Sequence, residues 1–396
     1  MTPSLPASFD LILIGGGVMG CAIATYLLRA EPRLKVALIE RDASYTRAST
    51  TLSDGNTRLQ FNLRENILMS QYGLEALATF AEDLAVDGDK PDAAFRQQGN
   101  LFIIDEESRA GALEGLALQQ ALGCPVDWLT PAQVAEAYPL YNLKDCVGGT
   151  LGRLDGTMSP LAVLLAYKNK ALALGAHWVN GEAAEILRGA DRVRGVRLAD
   201  GAALNAGAVV NAAGAWASGV AQTCGVSLPV EPVKRQVTII ETEARPVGIL
   251  PALFLPSGLY VMHEGGGRFM AGRSFADDPV GSEDFAWERR RFEERLWPEL
   301  VEYLPGFDRL KITGGWAGLY EVNTLDGNAI LGEWPGLGGF FLANGFSGHG
   351  FQHCHAVGRT LAELILGRTP TLDLSIFSPQ RILDGKPVFE GRGKII

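Results

Sequence analysis

An α/β body assembled from separate stretches of chain, with antiparallel β-structure between them, is the fold class this sequence predicts, and three observations predict it. The chain has 396 residues, too many for one ordinary core when domains run to about 100–200 residues. Near the N-terminus an apolar run passes through a glycine-rich turn into a second apolar run. Two further apolar runs, far away in sequence, also end in glycine-lined loops ahead of helical stretches.

Composition narrows the class. Hydrophobic residues make up 47% and charged residues 20%, which excludes disordered, collagen-like and coiled-coil chains. The 48 glycines are the outlier, because glycine loses more entropy on folding than any other residue and is kept for turns or for close approach of backbone to something bulky. A net charge of −10 argues against a nucleic-acid partner, which demands a basic footprint. The five cysteines, Cys21, Cys124, Cys146, Cys224 and Cys354, are odd in number and form no C-x-x-C, so neither disulfides nor zinc are expected and a reducing, cytoplasmic location fits. Residues 11–28 are apolar enough to suggest a membrane span, but Asp10 precedes them and Gly15, Gly16, Gly17 and Gly20 interrupt them; no membrane span is expected.

The elements follow in order. Residues 9–14 form a continuous apolar run, as in a strand buried on both faces. Gly15-Gly16-Gly17-Val18-Met19-Gly20 then matches G-x-G-x-x-G, residues 21–28 continue as a helix, and a second buried strand at 35–39 ends at Glu40, twenty residues after Gly20. In this context Gly15 permits a tight turn, Gly17 lets backbone approach a pyrophosphate and Gly20 lets helix and strand pack closely. The free N–H groups at the helix start, from Val18 and Met19 onward, face the phosphates. Glu40, with Arg41 beside it, is placed for the adenosine ribose, and its charge disfavours a 2′-phosphate. Residues 206–210 enter Asn211-Ala212-Ala213-Gly214-Ala215-Trp216, and residues 340–343 enter Asn344 and the loop Gly345-Phe346-Ser347-Gly348-His349-Gly350-Phe351 before a helix at about 352–366. Three glycine-lined loops at strand ends imply one domain of discontinuous pieces around one extended ligand.

These residues resemble the FAD-dependent oxidoreductases grouped with D-amino-acid oxidase, glycine oxidase, sarcosine oxidase and dimethylglycine dehydrogenase. The resemblance runs from Asp10 to about Leu366 and rests also on Ala48-Ser49-Thr50-Thr51 through Arg58, Asp155-Gly156-Thr157 with Pro160, and Trp316-Ala317-Gly318 with Asp326-Gly327. It implies a Rossmann-type FAD-binding domain of residues 1–90, 147–229 and 325–396, interleaved with a smaller α+β substrate-binding domain of residues 91–146 and 230–324. The residues support this independently in part. Residues 95–104 and 234–242 read as strands, 259–262 with 268–272 as a hairpin, and 283–300 as a half-solvated helix.

The chemistry that the resemblance implies is oxidation of the C–N bond of a secondary amine or amino acid, with hydride transfer to the flavin N5 and hydrolysis of the imine. It implies that Ser49, Thr50 and Thr51 wrap the pyrophosphate, that Asn56 and Arg58 lie beside the ring, and that the loop Gly345 to Phe351 passes its pyrimidine edge, with Ala213, Gly214 and Trp216 also on the cofactor. The alternative readings are a surface or interdomain ion-pair residue for Arg58 and helix caps for Ser49 and Thr50. The FAD is expected to be non-covalent, since Gly318-Leu319 stands where relatives attach the ring through cysteine.

Departures bear on the substrate. Sarcosine oxidase holds its carboxylate with an arginine and a lysine at places that here hold Phe61 and Gln352. The remaining cationic anchors are Arg58, Arg235, Arg268 and Arg273, of which only one of the last two can face a pocket, given their odd separation along one strand. Met270 takes the place of the lysine that promotes reaction with oxygen, which favours a dehydrogenase with another, unknown electron acceptor. Arg58, His263, Met270, His349 and Gln352 are thus the candidate catalytic residues. His349, His353 and His355 lie close in sequence, but one is in a loop and no carboxylate follows, so no metal is expected. Two other functions remain open: a 2-hydroxy-acid dehydrogenase, with His263 or His353 as base, and a non-catalytic flavoprotein that binds a partner. An oligomer is compatible with the sequence.

Overall fold

The computed structural model describes Pro6 and residues 8–144 and 146–390. Two sheets organise them. The first grows outward from the N-terminal strand: Ser8–Ile14 lies between Val36–Glu40 and Ala203–Asn211, parallel to both. His177–Asn180 and Phe340–Asn344 extend it in parallel on either side. Ile330–Glu333 closes one edge antiparallel, and Val193–Leu198 and Ala183–Arg188 hang from the long strand Ala203–Asn211 as an antiparallel meander. Leu11, Ile12 and Leu13 are buried; a strand covered on both faces has no polar side, hence the unbroken apolar run. Helix Val18–Ala30 packs on helices Pro160–Ala173 and Gly350–Ile365. The approach to the last is close, since a Cβ on Gly358 would meet the Ala22 Cβ at 2.9 Å.

Register brings the glycine loops together. Ile14 stands opposite Ile39 on one side and Asn211 on the other, and Asn211 stands opposite Leu342. These parallel strands therefore finish at one level, and the turns after Ile14, Asn211 and Asn344 share the carboxyl edge, where open α/β sheets bind ligands.

The second sheet has the order Lys311–Asn323, Val230–Glu241, Arg268–Gly272, Tyr260–Gly265, Ala252–Phe254, Asn100–Ile104, Gly148–Gly152, Val126–Leu129. All its pairs are antiparallel except Ala252–Phe254 with Asn100–Ile104. One face buries Leu101, Ile103, Leu253 and Phe269 under Phe292 and Leu300 from helices Arg289–Arg295 and Trp297–Tyr303 and under Leu296 between them. The protein is thus a mixed α/β molecule with a parallel and an antiparallel sheet.

Local expectations need three corrections. The boundary at 146 assigns Gly148–Gly152 to the nucleotide part, whereas its hydrogen bonds to Asn100–Ile104 and Val126–Leu129 place it in the antiparallel sheet. The strand expected from 95 starts at Asn100. The helix expected over 283–300 is two short helices. Asp284 and Glu288 instead accept hydrogen bonds from the buried Lys234 ammonium at 2.7 and 2.9 Å, and Pro298, which has no N–H, sits in the first turn of the second helix. Among the described residues no helix is long and apolar enough to cross a membrane; the stretch 11–28 divides into strand, turn and helix.

Candidate functional site

A cavity of about 450 Å³ opens where the parallel strands end. Of the expected cofactor contacts, Gly15, Gly17, Val18, Met19, Glu40, Arg41, Ser49, Thr50, Ala213, Gly214, Trp216, Phe346, Gly348 and Gly350 line it. The glycines have different tasks. Gly15 has φ +106°, and a Cβ there would lie 2.3 Å from the Ala212 carbonyl oxygen, so the turn itself requires glycine. A Cβ on Gly20 would lie 2.0 Å from the Gly15 oxygen; this glycine serves helix–strand contact and does not line the cavity. Gly17 has an ordinary φ of −69°, and its Cβ would meet nothing nearer than Thr50 Oγ1 at 3.6 Å. The chain does not need glycine at 17; a side chain there would fill cavity.

The same region fits an extended anionic cofactor in its donors. The N-cap residue of helix Val18–Ala30 is Gly17, which has no side chain to cap it; the Val18 N–H donates to Thr50 Oγ1 at 3.4 Å, and the N–H groups that follow, with the positive dipole end, face the cavity for a ligand. Glu40 Oε2 accepts the Gly16 N–H at 2.9 Å and Oε1 the Asp42 N–H at 2.8 Å, so the carboxylate is a fixed acceptor at the far end. The Arg41 guanidinium lies 3.8 Å over the Trp216 ring and 3.6 Å from Glu182. The Trp216 indole N–H is buried without an acceptor, a donor that a ligand would satisfy.

Other expected contacts sit behind the wall, because polar groups in tight loops first satisfy the loop's own backbone. Thr51 Oγ1 donates to the Tyr45 and Ala48 carbonyls at 2.5 and 3.1 Å. Asn56 exchanges two side-chain hydrogen bonds of 2.9 Å with Asn100. Gly345 backs onto Asn323. Ser347 accepts the Asn323 N–H at 2.9 Å and lines a different cavity.

That second cavity, of about 420 Å³, shares Tyr320 with the first. Phe102, Ile104, Arg235, Phe275, Ser347 and His349 are among its walls, and no acidic residue among the described ones lines it. Tyr320 and Arg235 come from neighbouring strands, Tyr320 opposite Val233 and Arg235 opposite Gly318, with the guanidinium 5.6 Å from the Tyr320 ring. Arg235 pairs with Asp278, and its buried Nε has no acceptor.

The candidate catalytic residues divide. His349 is in the wall of the second cavity. Arg58 lines neither cavity: it is buried under Phe61, its backbone N–H donates to Gln352 Oε1 at 2.9 Å, and its guanidinium is 3.3 Å from His349 Nε2. A guanidinium can only donate, so in this contact His349 accepts at Nε2 and carries its proton at Nδ1. Gln352 likewise lines neither cavity and acts by holding the Arg58 backbone. Buried Asp155 accepts the Leu59 N–H at 2.8 Å and the Gln60 amide at 2.9 Å; burial pushes its carboxyl up to about 7.

His263 and Met270 are elsewhere. His263 Nδ1 accepts the Leu250 N–H at 3.1 Å, Nε2 donates to the Gly266 carbonyl at 3.1 Å, and the ring stacks on Phe269. With both nitrogens spent on backbone it pins a loop, and burial lowers its pKa. Met270 packs with Phe102, Tyr260 and Met262 and lines neither cavity. Arg268 and Arg273 pair with Glu241 and Glu299, outside both cavities. Buried His353 and His355 are engaged with Ser70 and Tyr167, and burial pulls them down to about 3 and about 4. Among the described residues no group of three possible metal ligands is brought together.

Glu321 escaped the sequence reading. It lines the first cavity, accepts the Gly345 N–H at 3.1 Å, and burial pushes its carboxyl up to about 8. The available sign was an acid inside the mostly apolar run 316–322. Tyr45, whose hydroxyl donates to the Gly16 carbonyl at 2.9 Å, carried no sign at all.

Comparison with known proteins agrees with this geometry. The profile of a family described as FAD dependent oxidoreductase matches residues 10–364. FAD-dependent oxidoreductase domain-containing protein 1 of Xenopus laevis is 36% identical over 422 residues, covering 97% of this chain and 85% of the relative. Among solved structures, L-proline dehydrogenase from P. horikoshii superposes with a TM-score of 0.85 at 26% identity, covering 97% of this chain and 100% of that one. Glycine oxidase from Geobacillus kaustophilus superposes with a TM-score of 0.81 at 25% identity, covering 94% and 99%.

Proposed function

This chain belongs to the FAD dependent oxidoreductase family, and from that premise we propose that it oxidises the C–N bond of an amino acid, N-substituted or free, in the second cavity. One observation carries the reading: a cavity with an arginine and, among the described residues, no carboxylate in its walls abuts the first cavity at Tyr320. Arg235, with its unpartnered Nε, is the residue for the substrate carboxylate. A simple cationic amine has no counter-charge on these walls. For an amino acid the same positive field favours the neutral amine, whose lone pair must be free for oxidation.

FAD, when bound, supplies the acceptor for the electron pair. The chain's residues do the rest. Gly17 and the N-terminus of helix Val18–Ala30 leave room and donors for the pyrophosphate, Glu40 accepts from the ribose, and Trp216 and Arg41 bound that end. Phe102, Phe275 and Tyr320 exclude water around the substrate, and His349, held by Arg58, offers it one polar group. No cysteine or histidine lines the first cavity among the described residues, which supports non-covalent binding. Among the described residues no lysine lines either cavity, which supports a dehydrogenase whose electrons leave to an acceptor other than oxygen. All five cysteines are buried and none is in a disulfide, in keeping with a cytoplasmic setting.

The 2-hydroxy-acid alternative loses both of its expected bases, His263 and His353, to structural bonds. Anaerobic mixing of the yellow protein with amino acids, N-methylated amino acids, simple amines and 2-hydroxy acids tests the proposal. Bleaching of the flavin absorbance by amino acids supports it. Bleaching by hydroxy acids alone overturns it, and no bleaching by any of them moves the function to a non-catalytic, partner-binding flavoprotein.

A further inference from the structure

Segment 381–390 is tied to the loop 326–329, which lies behind Asn323 and Gly327 in the wall of the second cavity. Buried Arg381 donates to Asp326 at 3.0 Å and to the carbonyls of Asn328 and Ala329 at 3.1 and 2.8 Å. Beyond it, the Val388 N–H donates to Asp326 at 3.1 Å, and the Asn328 amide donates to the Val388 carbonyl at 2.7 Å. Asn323, part of the cavity wall, donates to Asp326 and to the Asn328 carbonyl at 2.9 and 2.6 Å. Asp326 and Asn328, which grip the segment, are thus also held by a residue of the cavity wall.

Glu390 reaches furthest. One carboxylate oxygen accepts the Asn62 N–H at 2.6 Å and the other the Asn66 side-chain amide. Helix Arg64–Ala78 gets no side-chain cap from its N-cap residue Leu63, and the Glu390 carboxylate stands just ahead of its positive end, on the N–H of Asn62 and the side chain of Asn66 in the first turn. Arg58 lies in the same loop, four residues before Asn62. Burial works against its charge, and the Glu390 carboxylate is foremost among the charges that restore it, ahead of Asp155.

We propose that segment 381–390 is a latch on the second cavity, in which Glu390 positions the loop 57–63 and offsets the charge of Arg58, and so moderates how tightly the cavity holds an anion. The charge part rests on the reading of this cavity as the substrate site; the positional part does not. Arg58 transmits both through its contact with His349.

Two measurements on the full-length, FAD-loaded protein separate these parts. Amide hydrogen exchange over residues 62–70 reads the latch alone: Glu390→Ala should speed it by about tenfold, with Glu390→Gln, which keeps an acceptor oxygen, between Ala and wild type. Unchanged exchange in Glu390→Ala overturns the latch. Benzoate, titrated against the flavin spectrum, reads the charge: Glu390→Gln should bind it about three- to tenfold more tightly than wild type. Equal or weaker binding overturns the charge balance. If neither protein binds benzoate while exchange rises in Glu390→Ala, the latch stands and the carboxylate reading of the cavity falls.

Discussion

The two cavities meet at Tyr320 and are built in opposite ways. The first is made mainly by backbone: three turns after aligned parallel strands, a helix start with no side chain at its N-cap, and at that N-cap a glycine, Gly17, that the chain itself does not require. The second is made by side chains drawn from the strands Asn100–Ile104, Val230–Glu241 and Lys311–Asn323 and from the loop that carries Ser347 and His349. A backbone site tolerates change in everything except shape, while a side-chain site is remade by each substitution. The same arrangement can thus keep FAD while the substrate changes.

Substitutions that strike one cavity and spare the other probe this contrast. Gly17→Leu should have the largest effect: FAD affinity falls by about a hundredfold or more, some 2.7 kcal/mol, while the apoprotein keeps its Tm, because only cavity space is filled. Measured by FAD titration and thermal unfolding, a near-normal affinity would show that the pyrophosphate does not approach Gly17. Arg235→Ala comes next, with KM for an amino acid raised about 30- to 1000-fold, or 2–4 kcal/mol, and FAD content unchanged. An equal loss for an uncharged amine would break the carboxylate role. His263→Ala is the smallest in catalysis: kcat should stay within about twofold, while the lost Leu250 and Gly266 hydrogen bonds cost about 1–3 kcal/mol of stability. A collapse of kcat at constant Tm would return His263 to the active site.

The same contrast explains what was legible in the sequence. Gly15, Gly17, Glu40 and Gly214 line the first cavity and could be picked out because a turn, a helix start and a strand end leave marks within a few residues. Thr51 and Asn56, chosen because they lie near those marks, turn inward to bond Tyr45, Ala48 and Asn100. Pocket residues fared differently. His263, Met270, Arg268 and Arg273 sit on the expected hairpin, yet none lines either cavity. Arg235 does, although in sequence it looked no better than its rivals. Which face of a strand meets a cavity depends on its partners' register and on the loops packed over it.

The amino-acid sequence by itself determined the parallel nucleotide-binding body, the three glycine loops and the cofactor class, because these rest on local backbone conformation and on apolar runs that can only be buried. Tertiary structure alone decided that Gly148–Gly152 joins the antiparallel sheet, that Tyr320 divides two cavities, and that Glu390 reaches the loop of Arg58. Each of those depends on pairing between segments tens to hundreds of residues apart, where many partners suit a given residue and only the packed whole selects one.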